Sequence, residues 1–233
     1  MSLNINIFKM ILQIFLVIIL LIFILTTNIK LVVNSMDFYN YEFEKYSISK
    51  KTGIDQKELI SVAKQIVNYF NNDEKEINVS IWNNNKKVEN LFNSKEVLHM
   101  VDVKVLIRLV YILQSISLGF IVVYLLLGIY RLKKNFVFNL SKLLFRSSVT
   151  IILIIFLIGF ISLTGFEKAF LIFHQISFAN DLWQLDPRKD YLIAIFPQGF
   201  FYEATILIGL LTLFEASCIL ILSKLFQRIS LKN

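Results

Sequence analysis

Four stretches of this 233-residue chain are long, apolar and nearly free of charge: about 8–33, 105–129, 147–165 and 204–222. About 20 apolar residues cross a hydrocarbon core. Inside lipid each backbone N–H and C=O must find its partner within the protein, and a helix does this segment by segment. The runs therefore predict an all-α membrane protein, a four-transmembrane-helix bundle. Hydrophobic residues make up 56% of the chain, above the roughly 45–50% of soluble domains. The first run is longer than a signal-peptide core, and no small-x-small cleavage pattern follows it. It is expected to stay as an anchor.

Charge then orients the runs. Arg131, Lys133, Lys134, Lys142 and Arg146 share one segment without an acid, and Lys224, Arg228 and Lys232 follow the last run, again without an acid. By contrast, Asn34–Lys104 carries 11 acids against 10 bases, and Phe166–Glu203 carries 5 against 3. The positive-inside rule places both termini and the basic segment in the cytoplasm, and the two larger segments outside. The expectation is a multi-pass membrane protein whose basic residues meet anionic lipid. A nucleic-acid partner would need a folded basic surface with base-stacking aromatics, and none is visible. Cys218 is the only cysteine, so no intramolecular disulfide forms. It reads as a packing residue.

Residues 34–104 are too many for a connector and predict a small extracytoplasmic α+β subdomain. Asp55 and Glu58 have capping-box spacing. Leu59, Ile60, Ala63, Ile66, Val67 and Phe70 then recur at helical spacing, which predicts a helix from about Gln56 to Phe70. Ile77–Trp82 alternates, Asn83–Asn85 is turn-like, and Val88–Phe92 reads as a returning strand. From about Ser94 a helix runs into the second span, with Glu96, His99 and Asp102 on one face.

The second outward segment, 166–203, is either a surface loop or a re-entrant element. Irregular backbone is tolerated at membrane depth where it is buried or lines a cavity. Phe166, Phe170 and Phe173 suit an apolar helix face. Asn180, Asp181, Trp183, Asp186, Arg188 and Asp190 crowd the stretch after it. Pro187 favours a turn, and Pro197-Gln198-Gly199 is expected to break the chain before the fourth span.

The chain has two histidines, His99 and His174, each where a polar segment meets a span. Histidine titrates near neutrality. Brought together, one ring can take a proton while the other donates or polarises. Asp102 or Glu96 would hold a ring in one tautomer, as the third member of a triad does. The plainer reading is two interfacial residues with no chemistry. A metal site would draw on the same histidines with Asp or Glu, but HExxH and HxH are both absent. Ser94 and Ser177 lie nearby, yet there is no GxSxG elbow. Trp183 is a candidate pocket wall, and Arg188 a candidate contact for a phosphate or carbonyl. Glu215 lies about twelve residues into the fourth run; it is expected to have a structural partner, a hydroxyl or a basic residue.

The stretch Glu96-Val-Leu-His99-Met100-Val-Asp102-Val-Lys104, together with His174 through Pro197, resembles the lipoprotein intramolecular transacylases. The four-span layout and the amphipathic helix ending in Asn-Tyr-Phe are similar too. The resemblance implies an enzyme acting on diacylglyceryl lipoproteins at the outer membrane face. It would move an acyl chain from the glyceryl sn-2 ester to the α-amine of the N-terminal cysteine, without cofactor, metal or acyl-enzyme. His99 and His174 match the family's two catalytic histidines, and Asp102, Asn180, Trp183, Asp186 and Asp190 fall in its motifs. Two other classes stay open: a non-catalytic membrane protein that binds lipid or a partner, and a hydrolase of lipid esters.

Overall fold

The computed structural model describes residues 2–83, 86–132 and 134–230. In chain order the elements are α1 (Ser2–Val33), α2 (Met36–Lys45), α3 (Ile48–Thr52), α4 (Gln56–Asn71), β1 (Ile81–Asn83), β2 (Lys86–Val88), α5 (Ser94–Leu132), α6 (Lys134–Ser177), α7 (Tyr191–Ile195) and α8 (Gln198–Ser230). α1, α5, α6 and α8 are long and apolar enough to cross a membrane.

These helices outrun the apolar stretches that announce them. At 1.5 Å per residue the 39 residues of α5 extend about 58 Å, against a hydrocarbon core of ~30 Å. The expected basic loop after the second run is helical on both sides: α5 ends at Leu132 and α6 begins at Lys134. Lys133 and Lys232 lie outside the described residues. From Ile129 to Ile158 the sequence has no glycine or proline, and Lys, Arg and Leu are good helix formers. Charge there marks an aqueous boundary, and the described residues on both sides of it are helical. Similarly, α8 starts at Gln198 rather than near 204. Pro197 precedes its first residue, so the Pro-Gln-Gly sequence opens this helix, as a proline near a helix start can.

The chain divides into two units. The first comprises Met1–Ile29, Tyr111–Ile161 and Ile206–Asn233. Its core is Ile24 of α1, Ile151 and Ile155 of α6, and Ala216 of α8, with Leu20, Phe23 and Leu213 packed around them. Gly128 of α5 lets the chain approach α6 closely; a Cβ there would fall 1.9 Å from the Phe136 ring. Glu215 is held by an amide rather than by the expected hydroxyl or base. Asn28 Nδ2 donates to Glu215 Oε2 at 2.9 Å and to Thr212 Oγ1 at 3.1 Å. Such side-chain pairs join helices where water is absent. Cys218 is partly buried and unpaired by any disulfide.

The second unit comprises Lys30–Val110 and Ser162–Thr205. In it α4 buries Leu59, Val62, Ala63, Ile66, Tyr69 and Phe70; Leu59, Ala63, Ile66 and Phe70 are on the face its spacing predicted, whereas Ile60 and Val67 are half-buried and Val62 and Tyr69 go inside instead. The capping box at Asp55 does not form: Asp55 makes no side-chain cap, and Glu58 Oε2 instead accepts from Trp82 N at 2.8 Å. A hairpin is present but short and shifted: β2 is Lys86–Val88, so only Val88 of the expected Val88–Phe92 strand lies in it, opposite Ile81. Gln65 explains where it starts. Its amide donates to Ser80 O at 2.8 Å and accepts from Ser80 N at 3.0 Å, so the backbone groups that would extend the ladder are already used. The turn at Asn84–Asn85 lies outside the described residues. α2 packs on α3 and α4, and α3 on α7. Phe38, Tyr39 and Phe43 of α2 meet Phe196 and Phe200, ring contacts that each add to simple area burial.

Candidate active site

The site is assembled within the second unit from the start of α5, the end of α6 and the loop that follows it. α5 is anchored by a capping box that the sequence contains as Asn93-Ser-Lys-Glu96. Asn93 Oδ1 accepts from Lys95 N and Glu96 N at 2.9 and 3.1 Å, and Glu96 Oε2 accepts from Asn93 N at 2.7 Å. These bonds satisfy backbone donors that the first turn of a helix leaves open. Glu96 Oε1 reaches further, accepting from Leu192 N in the first turn of α7 at 2.6 Å. One buried carboxylate, 1% exposed, therefore ties the start of α5 to the start of α7. Glu96 is fully used in this way, so it is not the group that orients an imidazole.

One turn beyond Glu96 stands His99, and on the same face one turn later stands Asp102. His174 sits in the last turn of α6. The two rings face each other with centroids 6.3 Å apart and planes inclined by 32°. They are 7% and 8% exposed. Phe178 contacts both, at 5.1 Å from His99 and 5.6 Å from His174. Phe170 at 4.3 Å, Phe173 at 5.3 Å and Trp183 at 5.1 Å complete the surroundings of His174. Phe173 and Phe170 belong to the apolar face read from the sequence; Phe178 was not singled out there, since one more phenylalanine among 22 carries no signal.

The tautomer of His174 follows from its contact. Nδ1 lies 2.7 Å from the carbonyl oxygen of Phe170, one turn back. A carbonyl only accepts, so Nδ1 carries the hydrogen and, in the neutral ring, Nε2 holds the lone pair. The orienting group is thus main chain and not the carboxylate expected. Nδ1 of His99 is buried and has no hydrogen-bond partner among the described residues.

Asp102 pairs with Asn180: Asn180 Nδ2 donates to Asp102 Oδ2 at 2.9 Å. Asn180 Oδ1 accepts from Leu182 N at 3.0 Å, which fixes the amide so that its NH2 faces the carboxylate. The remaining loop residues serve the loop. Asp190 Oδ2 accepts from Asp186 N at 2.7 Å, and Asp190 Oδ1 accepts from Asn93 Nδ2 at 2.8 Å. Asp186 receives the backbone N–H, Nε and Nη2 of Arg188 at 3.0, 3.0 and 2.9 Å. That side-chain contact, with the backbone bond from Arg188 next, holds the Asp186 carboxyl down at about 2. Arg188 is therefore engaged by its own turn, and neither it nor Asp186 or Asp190 contacts a histidine. Lys95 Nζ donates to the Gln184 carbonyl and adds one more tie between α5 and the loop. Among the described residues no group of three or more His, Cys, Asp or Glu is placed to hold a metal ion.

A pair of facing imidazoles, one with a directed lone pair, an adjacent ionisable carboxylate and aromatic walls can move a proton between two atoms of one bound molecule. Comparisons with known proteins give the family and the fold. A family model described as lipoprotein intramolecular transacylase Lit matches residues 14–201. An uncharacterised protein of Aquifex aeolicus (strain VF5) is 26% identical over 181 residues, 76% of this chain and 77% of that one. The in meso structure of the membrane-integral Lit of Bacillus cereus superposes with a TM-score of 0.78 at 20% identity, covering 98% of this chain and 100% of that one. A histidine-to-alanine variant of the same protein gives 0.77 at 21% identity, with both chains fully covered.

Proposed function

This chain belongs to the lipoprotein intramolecular transacylase family of membrane acyltransferases, and we propose that it moves the sn-2 acyl chain of a diacylglyceryl lipoprotein onto the α-amine of that lipoprotein's N-terminal cysteine. The observation that carries the proposal is the pair of buried imidazoles 6.3 Å apart, with Nε2 of His174 left as the acceptor.

The chemistry closes on these groups. The α-amine has a free pKa of roughly 7.7–8.0, so it must shed a proton as it attacks the ester carbonyl carbon. His174 Nε2 takes that proton. The oxyanion of the tetrahedral intermediate is met by an N–H of His99. Collapse breaks the bond between the carbonyl carbon and the glyceryl sn-2 oxygen, and the imidazolium returns its proton to that oxygen. One ester bond is lost, one amide bond is made, and the proton has moved from nitrogen to oxygen. Both reacting groups belong to one molecule, so the protein's main work is to fold the lipid head into a near-attack shape.

Asp102 completes the site in this reading. Asn180 occupies one of its oxygens, and the other accepts an N–H of the substrate's neutral α-amine. Replacing Asp102 by asparagine keeps the size and removes the charge. The KM for a free-amine diacylglyceryl lipopeptide should then rise roughly tenfold, the worth of one charged hydrogen bond, with kcat changed far less. An unaltered KM would take Asp102 out of amine recognition.

The positive-inside asymmetry supports cytoplasmic termini, with 34–104 and 166–203 on the extracytoplasmic side as a subdomain and an active-site segment. Lipoproteins anchored in that leaflet are the partners this arrangement serves. The test is the fragmentation spectrum of a reporter lipoprotein's N-terminal peptide from a host expressing this chain, because the acyl shift leaves the intact mass unchanged and only fragments place the chain on nitrogen or on glyceryl oxygen. An N-acylated peptide with one glyceryl ester is the expected product. An unchanged diacyl peptide would mark a binding protein, and loss of a chain as free fatty acid a hydrolase.

A further inference from the structure

A second constellation lies in the first unit and shares no residue with the histidine site. A cavity of about 280 Å3 opens there, lined by polar side chains of Gln13, Tyr124, Asn139, Lys142 and Arg146. Leu16 and Leu143 form its buried floor. Asn139, Lys142, Leu143 and Arg146 fall at i, i+3, i+4 and i+7 of α6, so one helix face supplies four of the seven walls.

The charge there is unbalanced. No aspartate or glutamate occurs in residues 1–36 or 103–166, the stretches that supply all of the cavity's lining. Lys142 and Arg146 only donate, and the Gln13 and Asn139 amides and the Tyr124 hydroxyl can donate as well. Arg146 Nη1 donates to Gln13 Oε1 at 3.3 Å, and Lys142 Nζ lies 4.1 Å from the Phe138 ring centroid; neither contact supplies a counter-charge. Like charges four residues apart on a helix repel. A membrane protein that points two such cations and three neutral donors into one cavity presents a receptor for an anion.

Beside the polar group, α1 and α5 present exposed apolar side chains. Phe15 and Phe120 touch edge to face at 5.6 Å, and both, like Val123, are exposed. We propose that this cavity binds the phosphate of an anionic phospholipid whose acyl chains lie along α1 and α5. Phosphate is the shared chemistry of a lipid headgroup and of free inorganic phosphate; the apolar flank favours the lipid.

Native mass spectrometry of the purified full-length chain tests this, with dioleoylphosphatidylglycerol, dioleoylphosphatidylcholine and inorganic phosphate as separate probes. Phosphatidylglycerol should be retained in preference to phosphatidylcholine, with inorganic phosphate not retained. Each of Lys142→Gln and Arg146→Gln should weaken retention about fivefold, and the double variant roughly 25-fold, at the usual worth of a juxtamembrane cation. Arg146→Lys should keep most of it, which separates lost charge from a misfolded helix. Lys224→Gln with Arg228→Gln, cations outside the cavity, should leave retention unchanged. Equal retention by wild type and the Lys142/Arg146 double variant, or no preference over phosphatidylcholine, would overturn the site. Retention of inorganic phosphate in place of lipid would overturn the lipid assignment.

Discussion

Replacing His174 by alanine is expected to lower formation of lyso-form lipoprotein by a factor on the order of 10^3, the usual worth of a positioned acid–base group. The same holds for His99. The argument is geometric. Each ring is almost fully buried, and the two stand close enough for one bound molecule to touch both. Alanine also removes ring contacts with Phe170 and Trp183, so a packing defect must be separated from lost chemistry. His174→Gln and His99→Gln serve that purpose: glutamine fills most of the volume, and its amide cannot take up a proton near neutrality. Both should be as inactive as the alanine variants while unfolding near the wild-type temperature. Groups that act as a unit are strongly non-additive. The His99/His174 double variant should therefore fall little below either single one. Single variants that keep more than a tenth of wild-type product, or single losses that simply multiply, would refute a joint role.

The second large effect concerns stability. Glu42 of α2 is 1% exposed, and neither of its carboxylate oxygens has a hydrogen-bond partner among the described residues. Burial, reinforced by the nearby Glu203 and partly offset by Lys45, pushes its carboxyl from 4.5 up to about 7. Lys45 itself is paired with Glu203. The native state thus holds a proton on Glu42 where the unfolded chain has released it. Stability is complete below about 4.5, declines as pH rises, and has lost its full share above about 7. A displacement of that size corresponds to about 3 kcal/mol. Glu42→Gln mimics the protonated side chain at every pH. It should match wild type near pH 4.5 and exceed it by about 3 kcal/mol at pH 8, read as a higher unfolding temperature in detergent. A pH profile identical in the two proteins would mean that Glu42 does not titrate in this range.

The spans were legible because lipid forces apolar length on the sequence, and α4 was legible because one of its faces is buried. Helix ends were legible where caps or periodicity mark them, as at Gln56 and Ser94, and not elsewhere. Counting apolar residues finds the part of a helix that lies in hydrocarbon; it does not find the polar turn at Lys134, which helix propensity carries onward. The two capping boxes show why local patterns mislead. Asp55 and Glu58 have the right spacing, but Glu58 is taken by Trp82 N, a partner 24 residues away. Asn93 and Glu96 have the same spacing and do close the box. At the candidate site, His99 and Asp102 share a face by helical periodicity alone. That His174 of α6 meets His99 of α5 depends on tertiary packing, and spacing holds no information about that. Asp186, Arg188 and Asp190 looked like substrate contacts because charge was dense. Their hydrogen bonds run to one another and to Asn93, which is how a short irregular segment keeps its backbone groups satisfied.

The hydrogen bond from His174 Nδ1 to the Phe170 carbonyl bears on how such an enzyme yields to mutagenesis. In a serine protease the partner that steadies the imidazole is an aspartate, and exchanging it exposes the role at once. Here the steadying atom is a peptide oxygen that all twenty residue types possess. An alanine scan would pass over position 170 as a lost aromatic contact and leave the tautomer intact. Only an edit of the polymer itself, such as an ester in place of the amide that follows Phe170, would weaken that oxygen as an acceptor and reveal what it does.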